Sequence, residues 1–269
     1  MIRNVAAGWA VFASADGRSV YIAQTARRML VLPATGPGPA RPLVTPPGWQ
    51  VVPLPWAAAG GIVLSSAASR PAIGLWKPGA GTVRVIGYGH VLASWTQPSG
   101  RGSLIAWQPA GCPFQHCPLE ITSTPAGRTL TVRSPTRYGF LGQGNDMAFS
   151  PDGAQLAALI STGPLRPTSA PPFVPALVNT ATGKVRLVPG AVMANGELAG
   201  WLVWLPGSSR LLAGPAANIG RYAGYAINAR TGAARPFSFF RGSRYPANST
   251  SDISYGAVLL PRASKAPPP

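Results

Sequence analysis

The chain has 269 residues, of which 46% are hydrophobic, and this is enough to bury a full core. It contains 32 glycines and 31 prolines, and no long stretch combines a helical apolar period with capping residues, so a mainly helical protein is excluded. The net charge is +17, and no window of membrane-spanning length is free of glycine, proline and charge, so the sequence predicts no transmembrane helix.

The chain starts almost directly on a predicted strand, which runs from about Trp9 to Ala13. The residues before it, Met1 to Gly8, contain too short an apolar run for a signal peptide. A chain that begins inside its first structural unit suggests that an amino-terminal leader or anchor has been lost. We therefore expect an in-frame apolar segment upstream of Met1 in the gene.

One short unit recurs along the chain: an apolar segment, a tight turn and a second apolar segment. Its best copy is FSPDG at residues 149–153, followed by an apolar run at 156–160. Proline presets φ for the second position of a turn, and glycine accepts the positive φ that closes it. Weaker copies run over residues 13–23, 57–66, 94–107 and 204–214. The predicted turn residues of the best copy are Ser150, Pro151, Asp152 and Gly153.

A second unit follows each copy of the first and reads as a small residue, a glycine and a basic apolar strand. Its glycines are spaced by 45, 46, 56 and 49 residues, and each is followed within six residues by an arginine. Two interleaved hairpins with a period of roughly 45–55 residues are typical of a four-stranded β-propeller blade. The glycines are Gly36, Gly81, Gly127, Gly183 and Gly232, and the arginines are Arg41, Arg84, Arg133, Arg186 and Arg235.

These motifs carry a family resemblance. The pattern FSPDG-x-x-L-A at 149–157, with TGKVR at 182–186, resembles the blades of TolB-like and WD-repeat-like propellers. The Trp-Asp signature of the WD-repeat family is absent, which favours the TolB-like side. The resemblance covers almost the whole chain and implies an all-β propeller of about five to six four-stranded blades, which a lost amino-terminal segment would leave truncated. Because its motifs mark turns, it implies no particular function.

The two repeats predict one propeller domain over residues 1–260 and a disordered tail over 261–269. Propellers often close by pairing strands from the two chain ends, and the isolated apolar segment ISYGAVLL is suited to that role. The same segment could instead be the remnant of a sixth blade. The expected blades cover residues 9–44, 49–86, 88–134, 140–190 and 198–239, with the closing strand at 253–260.

The two cysteines lie close together in the third predicted blade. Cys112 and Cys117 enclose four residues, and a disulfide between them is the favoured interpretation. It would place the protein in an oxidising compartment outside the cytoplasm, either secreted or tethered through a missing amino-terminal segment. One alternative is a zinc site with His116, but His90 is the only other histidine and four ligands are needed. The other is a pair of free thiols in the cytoplasm. We expect no metal and no cofactor.

The positive charge has two explanations. Arginine, alanine, glycine and proline abound, as expected of a chain encoded by GC-rich DNA of the actinobacterial type. The alternative is a surface that faces a polyanion, because +17 would attract nucleic acid or anionic polymers. The arginine after each second-unit glycine is then part of a candidate contact surface: Arg41, Arg84, Arg133, Arg186 and Arg235.

Searches for a catalytic motif are negative. The chain has no nucleophile elbow, zinc-protease helix motif or phosphate-binding loop, and neither histidine lies near an obvious nucleophile and acid. We therefore expect a non-catalytic binding scaffold that docks a protein or a cell-envelope polymer. The alternative is a basic, polyanion-binding propeller, with nucleic acid as an allowed but not favoured partner. A small-molecule or metal site in the central channel is a third, weaker hypothesis. Neither the oligomeric state nor the partner can be read from the sequence.

Overall fold

A computed structural model describes residues 8, 10–35, 38–52, 57–112, 117–141, 147–163, 173–193, 201–214 and 223–238. Within these ranges the regular structure is entirely β, with twenty strands and no helix. The predicted all-β class is therefore confirmed. No helix in the described part of the chain is long and apolar enough to cross a membrane.

Sheet 1 is an antiparallel meander in which each strand pairs with the next along the chain. The serine and aspartate between its first two strands form the first copy of the tight turn. Its strands are β1 (Ala10–Ala13), β2 (Ser19–Ala23), β3 (Arg28–Pro33) and β4 (Arg41–Val44).

The next eight strands form one continuous sheet, because a single long strand belongs to two meanders. The first half of β9 pairs with β8, and its second half, from Gly89 onward, pairs with β10. We call the meander up to Tyr88 sheet 2 and the meander from Gly89 sheet 3. The strands are β5 (Trp49–Val51), β6 (Ala57–Ala58), β7 (Gly61–Ser66), β8 (Ala72–Trp76), β9 (Arg84–Thr96), β10 (Ser103–Pro109), β11 (Leu119–Thr124) and β12 (Thr129–Val132).

The last two meanders have four strands each, in simple chain order. Sheet 4 consists of β13 (Met147–Phe149), β14 (Gln155–Ser161), β15 (Phe173–Asn179) and β16 (Val185–Leu187). Sheet 5 consists of β17 (Trp201–Trp204), β18 (Arg210–Gly214), β19 (Ala223–Asn228) and β20 (Ala234–Ser238). The first strands of neighbouring meanders contact each other, because β13 touches both β9 and β17.

In the part of the chain that the structure describes, the core consists of four apolar clusters, and each lies between two consecutive sheets. Alternation along a strand sends successive side chains to opposite clusters. In sheet 3, for example, Ile105 and Trp107 pack toward sheet 2, whereas Ala106 packs toward sheet 4. Each inner sheet is thus apolar on both faces, which explains the nearly continuous apolar runs at 156–160 and 173–178.

Among the described residues, no fifth cluster joins sheet 5 to sheet 1. The face of sheet 1 that points away from sheet 2 leaves Val11 67% and Val44 54% exposed. The described sheets therefore form an open series rather than a closed ring. The predicted closing strand at 253–260 and the tail at 261–269 lie outside the described residues and stay predictions.

The structure differs from the sequence prediction in the position of one blade boundary and of one turn glycine. The predicted boundary between the second and third blades, at residues 86–88, falls inside the continuous strand β9. In sheet 2 the turn glycine with positive φ is Gly79, two residues before the Gly81 that the spacing indicates.

Candidate functional site

The structure joins Cys112 and Cys117 by a disulfide bond, with their Cα atoms 5.4 Å apart. The bond closes the connection between β10 and β11 of sheet 3. The enclosed residues 113–116, which include His116, lie outside the described ones. His90 is exposed on β9, and the described residues contain no group of three or more metal-ligating side chains.

The predicted turn residues Ser150 to Gly153 form a self-contained hydrogen-bonded turn. The Ser150 hydroxyl donates to Oδ1 of Asp152 at 2.6 Å and accepts from the Gln155 amide at 2.9 Å. The same Asp152 oxygen accepts from the Ala154 amide at 3.0 Å. These bonds, with that from Ser150 foremost, hold the pKa of Asp152 below its usual value. The carboxylate is thus engaged by the turn itself.

Neighbouring sheets also bind this turn. The indole Nε1 of Trp95, in sheet 3, donates to the carbonyl of Pro151 at 2.9 Å. The amide of Asp152 donates to the hydroxyl of Ser208, in sheet 5, at 3.1 Å. The turn therefore links three sheets, which is a structural role.

The five sequence-predicted arginines do not share one role. Arg84 donates to the carbonyl of Pro125 at 3.1 Å, and Arg186 donates to the carbonyls of Ala229 and, at 2.8 Å, Arg230. In both cases an arginine near the outer strand of one sheet binds the last hairpin turn of the next sheet. Arg41 and Arg235 are exposed, and their side chains make no hydrogen bond with the described residues.

The remaining predicted arginine, Arg133, lines an open cleft of about 390 Å³ beside the disulfide. Arg137 lines the same cleft, together with Cys117 and the hydroxyl-bearing residues Thr131, Ser134 and Thr136. The sequence prediction missed Arg137, although the segment RSPTR, with two arginines four residues apart around a proline, would have been the signal. We call this feature the arginine cleft.

One buried acid lies next to the arginine cleft. Glu120 is 9% exposed and accepts a hydrogen bond from the hydroxyl of Thr131 at 2.9 Å. Its burial raises the pKa of the carboxyl, and the bond from Thr131 only partly offsets this. Glu120 makes no ion pair with the described arginines, so the cleft keeps its positive charge.

Comparison with known proteins gives matches to solved structures only. No protein-family model matches the chain, and no curated protein matches it. TolB of Agrobacterium tumefaciens is 14% identical over 86% of this chain and 79% of its own, with a TM-score of 0.50. The fold is that of a TolB-like β-propeller.

Two further solved structures are similar to this chain. Oligogalacturonate lyase of Vibrio parahaemolyticus is 11% identical over 85% of this chain and 64% of its own, with a TM-score of 0.52. The Swd1 β-propeller domain of Myceliophteria thermophila is 10% identical over 86% of this chain and 73% of its own, with a TM-score of 0.49. The chain thus spans less than two thirds of the lyase. At such identities the TolB-like likeness establishes the fold alone.

Proposed function

We propose that this TolB-like propeller is a non-catalytic binding scaffold that works outside the cytoplasm and docks a protein or cell-envelope partner. The observation that carries the proposal is the arginine cleft. It is a concave surface lined by two exposed arginines, and the hydroxyl protons of Thr131, Ser134 and Thr136 beside them are used in hydrogen bonds within the protein. Concave sites with a few placed polar groups are where proteins usually bind ligands.

The non-catalytic part of the proposal is supported by how the described acids are used. Asp16 and Asp152 accept hydrogen bonds within their own turns, and Glu120 accepts one from Thr131. General acid–base catalysis needs a carboxyl or imidazole within reach of a substrate proton. None of these acids lies in a described cluster with His90.

The extracytoplasmic part of the proposal is supported by the bond between Cys112 and Cys117. Disulfides persist in oxidising compartments and are rare in the cytosol. We also assign the five meanders to five four-stranded blades, in which β5 and β6, which both pair with β7, together count as the first strand of the second blade. Residues 253–260 would be the closing strand or part of a sixth blade.

A second candidate function is general polyanion binding, and the exposed arginines outside the cleft favour it. Arg41 and Arg235 are exposed, their guanidinium groups make no ion pair within the described residues, and the chain carries a net charge of +17. In this case the partner would be held by many scattered charges rather than by one site.

Sedimentation with isolated cell envelopes of the host tests both candidates. Purified protein is mixed with intact envelopes, with envelopes stripped of protein, and with duplex DNA, over a range of salt concentrations. The scaffold function predicts binding to at least one envelope sample, with a log–log salt slope of about −2 or shallower, because about two charges are paired. Retention only by intact envelopes would identify a protein partner.

General polyanion binding predicts similar affinity for DNA and envelopes, with a slope of about −5 or steeper. That result would replace the first candidate by the second. Absence of binding to either envelope sample would contradict the scaffold proposal.

A further inference from the structure

The arginine cleft has an uncompensated positive charge. Arg133 and Arg137 are both exposed, and neither forms an ion pair with any acid in the described part of the chain. Glu120 is buried and accepts the hydroxyl proton of Thr131 rather than a bond from either guanidinium group. An oxyanion entering the cleft would therefore meet guanidinium donors that no described carboxylate already pairs.

The loop that carries both arginines is held in place by its own hydrogen bonds. The Ser134 hydroxyl donates to the carbonyl of Tyr138 at 2.8 Å, and the Thr136 hydroxyl donates to the same carbonyl. The Thr136 hydroxyl also lies 3.2 Å from the carbonyl of Ser161, at the end of β14. These bonds reduce the conformational entropy that the loop would lose when it binds a ligand.

The two arginines are anchored at their own positions. Arg133 follows Val132, which is 1% exposed at the end of β12. The guanidinium carbon of Arg137 lies 4.8 Å from the ring centroid of Tyr138, in a cation–π arrangement. Both guanidinium groups therefore extend from positions that the packing of the fold keeps in place.

The cleft also offers hydrogen-bond acceptors. Thr131 lines it and uses its hydroxyl proton on Glu120, so the lone pairs of its oxygen are left to accept a bond from a ligand. A ligand that fits would bring oxyanions for the arginines and a hydrogen-bond donor, such as a hydroxyl, for Thr131. A phosphate chain supplies the first and not the second, whereas an acidic sugar supplies both.

We propose that the arginine cleft binds a carboxylate-bearing polysaccharide, with Arg133 and Arg137 on the carboxylate and Thr131 accepting from a sugar hydroxyl. This inference rests on the proposed scaffold function and names the chemical class of its envelope partner. One half of the disulfide, Cys117, lines the cleft.

Binding to three defined polymers tests the inference. The full chain is titrated by calorimetry with polygalacturonate, with the same polymer after full methyl esterification, and with polyphosphate. The esterified polymer keeps the sugar hydroxyls and loses the charge. The cleft variant is R133Q/R137Q, and the matched control is R41Q/R235Q, which removes the same charge from exposed positions elsewhere.

We expect polygalacturonate to bind at least tenfold more tightly than either of the other polymers. R133Q/R137Q should lose at least tenfold in affinity, and R41Q/R235Q should lose less than threefold. Thr131→Val should weaken binding of polygalacturonate by about threefold to tenfold, as expected for one lost hydrogen bond. Circular dichroism and thermal melts of each variant separate loss of binding from loss of folding.

Three results would overturn the inference. Equal losses in the two double variants would mean that net charge alone attracts the polymer. Tighter binding of polyphosphate would mean that the cleft selects oxyanions without sugar hydroxyls. Envelope binding that R133Q/R137Q leaves unchanged would place the partner elsewhere on the scaffold, and the proposed function would then stand without this site.

Discussion

Two copies of the same tight turn, in sheets 1 and 4, have the same internal structure and different surroundings. In both, a serine hydroxyl donates to an aspartate Oδ1 at 2.6 Å and accepts from an amide five residues on at 2.9 Å. The turn at Ser150 is also bound by Trp95 and Ser208 from two other sheets. The turn at Ser14 has no such side-chain bond from another sheet within the described residues.

The comparison separates what local sequence decides from what packing decides. Serine, aspartate and glycine at these spacings are enough to form the turn, because the bonds that the two turns share are made within six residues. How much the turn contributes to the stability of the fold depends on its contacts with other sheets, and the local sequence does not contain those residues. Substitutions at matched positions of the two turns therefore measure the packing contribution by difference.

The largest difference is expected at the turn glycines. Gly17 and Gly153 have φ of 68° and 71°, but a Cβ on Gly17 would meet nothing within 4 Å, whereas one on Gly153 would lie 2.7 Å from the Trp95 ring. Gly17→Ala should cost about 1 kcal/mol of backbone strain, and Gly153→Ala about 2–4 kcal/mol, because overpacking is added. Urea unfolding of both variants checks this. Equal losses would mean that the contact with Trp95 does not constrain the turn.

A smaller difference is expected between two arginines in the same register. Arg186 lies opposite Leu177 in its sheet, and Arg235 lies opposite Ala226. Both of these partner residues lie two positions before the asparagine that begins the hairpin turn. Arg186 binds the next sheet and Arg235 is exposed. Arg186→Ala should destabilise the fold by about 1.5–3 kcal/mol, and Arg235→Ala should stay within about 0.5 kcal/mol of the parent. A comparable loss for Arg235→Ala would show that its side chain also binds a sheet.

The smallest difference between the two turns is expected in how their aspartates make stability depend on pH. The pKa values of Asp16 and Asp152 are both lowered, chiefly by their serine hydroxyls. Each carboxylate therefore contributes stability that is present above the unfolded-state pKa and is lost as the pH falls through the lower folded-state pKa. Asp16→Asn and Asp152→Asn should each flatten the loss of stability between about pH 5 and pH 2, and by similar amounts. Chemical unfolding across that range tests it; a response at only one turn would contradict the shared local chemistry.

The distinction between local sequence and packing between sheets also explains what could be predicted from the sequence. The turn at 149–153 and the strand after it were predictable, because both depend on local residue types. The continuity of β9 was not, since Gly87 and Gly89 suggest a break between strands. In the structure they allow close packing instead: a Cβ on Gly87 would lie 2.6 Å from the Trp107 ring, and one on Gly89 would lie 1.8 Å from the Gln108 carbonyl oxygen.

The candidate site was predictable only in part. Arg133 and the cysteine pair were predicted from the sequence, whereas Arg137 was missed, although RSPTR contains it, because its place beside Cys117 depends on how the loop folds. The bonds of Arg84 and Arg186 to neighbouring hairpins depend on how the sheets stack, and no local pattern contains that information.

The central claim, that this propeller works outside the cytoplasm, is tested most directly by counting thiols in protein isolated from its native host. The chain has only two cysteines, so alkylation after denaturation without reductant gives an unambiguous number. The account predicts no reactive thiol, because Cys112 and Cys117 are bonded. Two reactive thiols would contradict it and would leave an intracellular polyanion as the partner to seek.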